Sequence, residues 1–127
     1  MTGFTDNIEK LTVANTDFRQ VLYTGQHMQL VLMSLKPNEE IGMEVHETTD
    51  QFLRIEQGIG KVVMNGKEQK IKDGDAIIVP AGTKHNVINM SSTKHLKLYT
   101  IYSPPHHKDK TIHVTKQDAL SDQTDHL

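Results

Sequence analysis

At 127 residues and 14.4 kDa, with a formal net charge of -2 and a pI near 6.4, the chain has the size of one domain with one core and no basic footprint for nucleic acid. It contains no cysteine, which excludes disulfides and thiolate metal sites. The N-terminal stretch lacks the charged-then-apolar layout of a signal peptide and no apolar run approaches membrane-spanning length, so a cytoplasmic protein with no membrane partner is expected.

Short strand-like runs separated by turn signals dominate the chain, which is the layout of a sandwich or closed barrel. In order they are 19–24, 28–36, 42–46, 51–56, 60–64, 67–71, 76–79, 85–90 and 96–103. Pro37-Asn38 and Asp73-Gly74 read as turns. Asn65-Gly66 is a two-residue hairpin signal, because both central positions of a type I′ turn need positive φ. Pro104-Pro105 ends the last run, since two successive residues without an N–H cannot continue a ladder. One short helix is expected over 115–121, and residues from Asp122 onward are expected to fray. His106, His107, His113 and His126 fall in this polar tail and are read as solvated. No repeat or linker interrupts the chain, so 1–127 is taken as a single domain.

Two blocks of residues carry chemistry. In the first, Glu44-Val45-His46 is followed by Gln51 and Gly58. In the second, Gly74, Pro80, Gly82, His85 and Asn89 fit the pattern G-x5-P-x-G-x2-H-x3-N at every fixed position. There Gly74 serves a turn that needs positive φ, Pro80 and Gly82 turn the chain sharply, and His85 opens the next strand. On these residues the chain resembles the cupin superfamily, whose second motif this is. The first cupin motif, G-x5-H-x-H-x3-4-E-x6-G, is met at His46 and Gly58, with Glu44 where the family has its first histidine and Gln51 where it has glutamate. Asn38 stands in place of that motif's first glycine.

The resemblance covers about residues 28–102 and implies an all-β fold: a double-stranded β-helix, or jelly-roll barrel, followed by a short irregular or helical tail over 104–127. It also implies one divalent transition metal at the motif positions, Glu44, His46, Gln51 and His85.

Strand alternation supports that grouping, because residues two apart share a face. Glu44 and His46 point the same way, and Gln51 shares a face with Leu53 and Ile55. Asp50 competes with Gln51 on motif spacing but takes the opposite face. His85 shares its face with Val87 and Asn89, and Leu98, Thr100 and Tyr102 are assigned inward because Lys97 should lie outside. Unpaired, these polar groups would each cost about 1–3 kcal/mol in an apolar lumen. A cation resolves the conflict, and two nitrogens with two oxygens suit Mn, Fe, Co, Ni or Zn.

The function expected is a metal-binding cupin that binds or acts on a small organic acid or sugar derivative, with isomerase- or epimerase-type proton transfer preferred. The alternatives are a non-catalytic binder of a metal or small ligand, or a dioxygenase. Arg54 and Lys84 are candidate anion anchors, with Arg54 expected on a solvated face. Tyr102 and Tyr23 are the candidate hydroxyl acids, although packing is the first reading for both. A homodimer is expected, with residues 18–24 pairing on a partner's sheet.

Overall fold

The computed structural model describes residues 2–125. The chain begins with helix α1 (Ile8–Ala14) and continues through β1 (Arg19–Thr24), β2 (Gln29–Leu35), β3 (Asp50–Gln57), β4 (Ile59–Met64) and β5 (Lys67–Lys72). It then runs through β6 (Ala76–Val79), β7 (His85–Asn89), β8 (Leu96–Ser103), β9 (Ile112–His113) and α2 (Lys116–Ser121). The strands form two antiparallel sheets, one ordered β6-β3-β8-β2-β1-β9 and the other β5-β4-β7. This is the expected jelly-roll architecture.

The alternation read from the sequence governs burial. On β3, Gln51, Leu53 and Ile55 are buried, while Phe52, Arg54 and Glu56 are only partly covered and Arg54 pairs outside with Glu56 at 3.1 Å. Val31, Met33 and Leu35 on β2 and Leu96 and Leu98 on β8 meet Val62, Ile71 and Val87 from the other sheet in one core. Each such side chain contributes about 1.5–3 kcal/mol on burial. Asn65 and Gly66 adopt φ of 49° and 81°, so the β4–β5 hairpin has the backbone the dipeptide demands. The motif residue Asn89 is a brace. Its Nδ2 donates to the carbonyls of Leu35, Lys36 and Lys94, tying the end of β7 to two loops.

Three local expectations are corrected. Residues 42–46 form no strand; they run beside β7 through isolated bridges, Glu40 with Ile88 and Glu44 with His85, because Gly42 at φ 113° interrupts the ladder. Helix α1 was not legible as a helix, yet Asn7 caps it by accepting from Lys10 N–H, and it packs over the outer side of β8 and β3. Lys97 accordingly lies outside the core but is not solvated: it is buried, and its ammonium donates to the Asn15 carbonyl just after α1. Finally, the outer edge of β1 is filled by the chain's own tail, with Arg19 opposite His113, Gln20 opposite Ile112 and Val21 N–H donating to Thr111. Within the stretch 18–24, expected to pack on a partner's sheet, one edge of Arg19–Val21 is thus paired within the chain itself. Among the described residues, no helix is long and apolar enough to cross a membrane.

The tail is ordered by polar contacts. Thr115 and Asp118 form a capping box at the start of α2, as the helix expected over 115–121 requires. Beyond it, the expected fraying at Asp122 does not occur: Asp122 accepts from His113 Nε2 at 2.9 Å, and Asp125 is buried. His107 and His113 are also buried, at 5% and 4% exposure, contrary to their reading as solvated groups. His126 lies outside the described residues.

Candidate metal centre

Glu44 and His85 are brought together by backbone pairing. Glu44 N–H donates to His85 O at 2.8 Å and His85 N–H to Glu44 O at 2.9 Å, an antiparallel hydrogen-bonded pair whose side chains share one face. His46, two residues on from Glu44, follows the same face, and Gly82 N–H fixes its carbonyl at 2.8 Å. The imidazole centroids of His46 and His85 stand 5.2 Å apart. Glu44, His46 and His85 each place one ligand atom so that all three lie within 4.8 Å of one another.

The hydrogen bonds around these groups decide which atoms remain available. His85 Nδ1–H donates to Thr83 O at 2.9 Å, which leaves the Nε2 lone pair facing inward. Gln51 Nε2 donates to Thr100 Oγ1 at 3.0 Å, which sets its carboxamide so that Oε1 is the free end. His46 Nε2, His85 Nε2 and Gln51 Oε1 are all buried without a hydrogen-bond partner among the described residues. Three orphaned acceptors would cost about 1–3 kcal/mol each. They are the atoms that would bind a cation, so the residues fit a divalent metal. Asp50, the competitor of Gln51, is exposed, and its Oδ1 accepts from Ala81 N–H at 2.8 Å.

Electrostatics keep the His46 imidazole available. Burial, helped by His106, His85 and Arg19, pushes His46 down to about 4, so its ring is neutral near pH 7. For Glu44, burial raises the carboxyl above its usual range, while Arg19 and His85 pull it back. The side chain of Glu44 keeps 32% of its surface exposed, toward a cleft of about 290 Å³.

That cleft is walled by residues the sequence did not single out as functional. His106 places its ring 4.3 Å from that of His46 and stacks on Tyr102 at 5.3 Å. His107 Nδ1–H donates to Asp125 Oδ2 at 2.7 Å, and its Nε2 lies 3.4 Å from the Tyr102 hydroxyl. Burial and the Arg19 charge push His107 down to about 3 against the pull of Asp125. Burial also drives the Tyr102 hydroxyl above its ordinary value. Arg19, buried on β1, has Nη1 3.3 Å from His113 Nδ1. Its signal in the sequence was alternation: a charged residue sharing the inward face of β1 with Val21. Arg54, by contrast, pairs with Glu56 outside, and Lys84 is exposed. Tyr23 hydroxyl accepts from Gly3 N–H at 2.8 Å.

Residues 31–102 match the family model for the cupin domain. The chain is 50% identical over 124 residues to the uncharacterized protein YrkC of Bacillus subtilis (strain 168), a match covering 93% of this chain and 66% of that protein's length. Its fold superposes on the crystal structure of BH2720 from Bacillus halodurans with a TM-score of 0.91 and 45% identity, covering 94% of each chain. A predicted oxalate decarboxylase from Thermotoga maritima is also similar, with a TM-score of 0.59 and 25% identity over 63% of this chain and 69% of that one.

Proposed function

The chain belongs to the cupin family, and from that premise we propose that it binds one divalent transition metal through Glu44, His46, Gln51 and His85 and uses it on a small organic acid or sugar derivative. The observation that carries this reading is the set of three buried lone pairs, on His46 Nε2, His85 Nε2 and Gln51 Oε1, left unpaired in one lumen beside the Glu44 carboxylate. Two nitrogens and two oxygens favour Mn, Fe, Co, Ni or Zn. Such a cation supplies Lewis acidity toward a carbonyl or hydroxyl oxygen when bound. The name of the Thermotoga protein agrees with an organic acid as ligand.

The chain's own residues favour proton transfer of the isomerase or epimerase type. Asp125 holds His107 by its Nδ1–H, which turns Nε2 toward the Tyr102 hydroxyl. The Tyr102 ring meets the His46 ring edge-on with centroids 5.7 Å apart, so its hydroxyl, 3.4 Å from His107 Nε2, is the candidate to relay a proton on that side of the site. His106, on the wall of the cleft, covers the His46 ring at 4.3 Å between centroids.

Cobalt titration of protein purified without a polyhistidine tag tests the reading. Uptake of about one ion per chain is expected, with visible bands that shift on adding azide because a catalytic metal keeps an open position. No uptake of any of the five metals would overturn it. A closed tetrahedral spectrum unmoved by azide would leave a binder without turnover.

Within the same reading, Gln51→Ala should weaken cobalt binding by about tenfold or more, whereas Asp50→Ala should change it by less than about threefold. Asp50 faces the Ala81 amide and solvent. Isothermal titration of the two variants checks this, and the opposite ranking would place Asp50 in the ligand set.

A further inference from the structure

Arg19 is a buried cation, 7% exposed, whose charge is felt by the Glu44 and Asp125 carboxylates but which forms no direct ion pair among the described residues. Its Nη1 lies 3.3 Å from His113 Nδ1, and its Nε–H finds no acceptor among the described residues. A guanidinium in that condition is a recognition element waiting for a carboxylate, because its fork of donors matches the two oxygens of that group.

Its place in the fold gives it a target. The inward face of β1 delivers Arg19 to the wall of the cleft that also contains Glu44, His106, His107 and Lys116. The acidic groups on the tail side are already engaged: Asp125 accepts from His107 and from Lys108 N–H, and Asp122 accepts from His113. Glu44 is the remaining carboxylate, and it belongs to the candidate metal ligands. With a dication in place, the charge left uncompensated in the cleft is positive. The cleft's volume of about 290 Å³ admits only a small molecule.

We propose that Arg19 anchors the carboxylate of a short organic acid, such as a dicarboxylate or a 2-hydroxy acid, whose other oxygen group reaches the Glu44–His46–His85 cluster. The proposal rests on the metal-site reading for the far end of the ligand but not for the near end. Arg19 then selects acids over neutral sugars and sets which end of the molecule faces the metal ligands. Its bond to His113 holds the guanidinium in place.

The test uses the full chain, 15N-labelled, with and without zinc, titrated with malonate and separately with azide. The Arg19 Nε–H cross-peak is the reporter, assigned by its loss in Arg19→Lys. Malonate should move it saturably, whereas azide, which needs only the metal, should leave it in place. Arg19→Lys keeps the charge but loses the fork, and should weaken malonate about tenfold or more while zinc and azide affinities stay within about threefold. If that variant does not fold, backbone-based assignment of the wild-type cross-peak decides alone.

The metal-free sample separates the two readings. A malonate shift of Arg19 in a chain that takes up no zinc retains the anchor and removes the metal. Zinc uptake with no Arg19 response to malonate or glycolate retains the metal and overturns the anchor. Malonate binding that leaves both the cross-peak and the Arg19→Lys affinity unchanged also overturns it.

Discussion

His85→Ala is expected to lower cobalt affinity by at least about a hundredfold, since loss of even an outer-shell partner of a metal ligand costs about 10- to 100-fold. The metal-free variant should still fold. His85 begins β7, and the backbone pair it makes with Glu44 uses only main-chain atoms, which alanine retains. The deletion removes one orphaned acceptor, Nε2, and leaves the Thr83 carbonyl without its imidazole donor, changes of about 1–3 kcal/mol that partly offset each other. A further signature follows from linkage. Metal at about a thousand times its Kd stabilises the wild type by about 4 kcal/mol, and the resulting rise in Tm should vanish in the variant. Calorimetric titration with circular dichroism checks both. Unchanged affinity in a normally folded variant would make His85 a structural histidine.

Gln29→Ala is expected to release the tail. Gln29 is fully buried, and its carboxamide makes four contacts. Nε2 donates to His107 O at 2.7 Å and Thr24 Oγ1 at 3.0 Å, and Oε1 accepts from His106 N–H at 3.1 Å and His107 N–H at 2.9 Å. Alanine leaves those backbone groups unpaired at about 1–3 kcal/mol each. The loss of stability should be on the order of 3 kcal/mol or more, visible as a Tm lowered by about 10 °C. Amide exchange at His106 and His107 should accelerate more than exchange in β2 or β8. A loss below about 1 kcal/mol with unchanged exchange at both amides would show that the tail is held elsewhere.

What the sequence reveals is what repeats along a strand. Leu53 and Ile55 announced the face of β3, and Asn65-Gly66 announced the β4–β5 hairpin, because alternation and positive φ are local demands. His46 and His85 stood out because the turns around them fix their spacing. Gly42 defeated the reading of 42–46, since one residue at φ 113° turns a run of strand formers into a segment held by isolated bridges. Helix α1 escaped notice because Ile8 and Leu11 give too short an apolar stripe, and its anchor is the Lys97–Asn15 bond, across 82 residues. The tail was misread for a similar reason. The buried His107 and Asp125 pair with each other and the buried His113 pairs with Asp122, and hydropathy does not register such pairing.

The path of residues 104–125 has a kinetic corollary. One wall of the cleft exists only when β1 and β2 meet the tail: Arg19 and His113 are 94 residues apart and Gln29 and His107 78 apart. Contacts of such long sequence separation form after the loop-closure entropy between them has been spent, which slows the step that makes them. The hairpin of β4 and β5, by contrast, closes locally. Ligand affinity is therefore acquired late, at the docking of the C-terminal segment, and a refolding experiment followed by ligand binding would register a slower event than one followed by sheet formation.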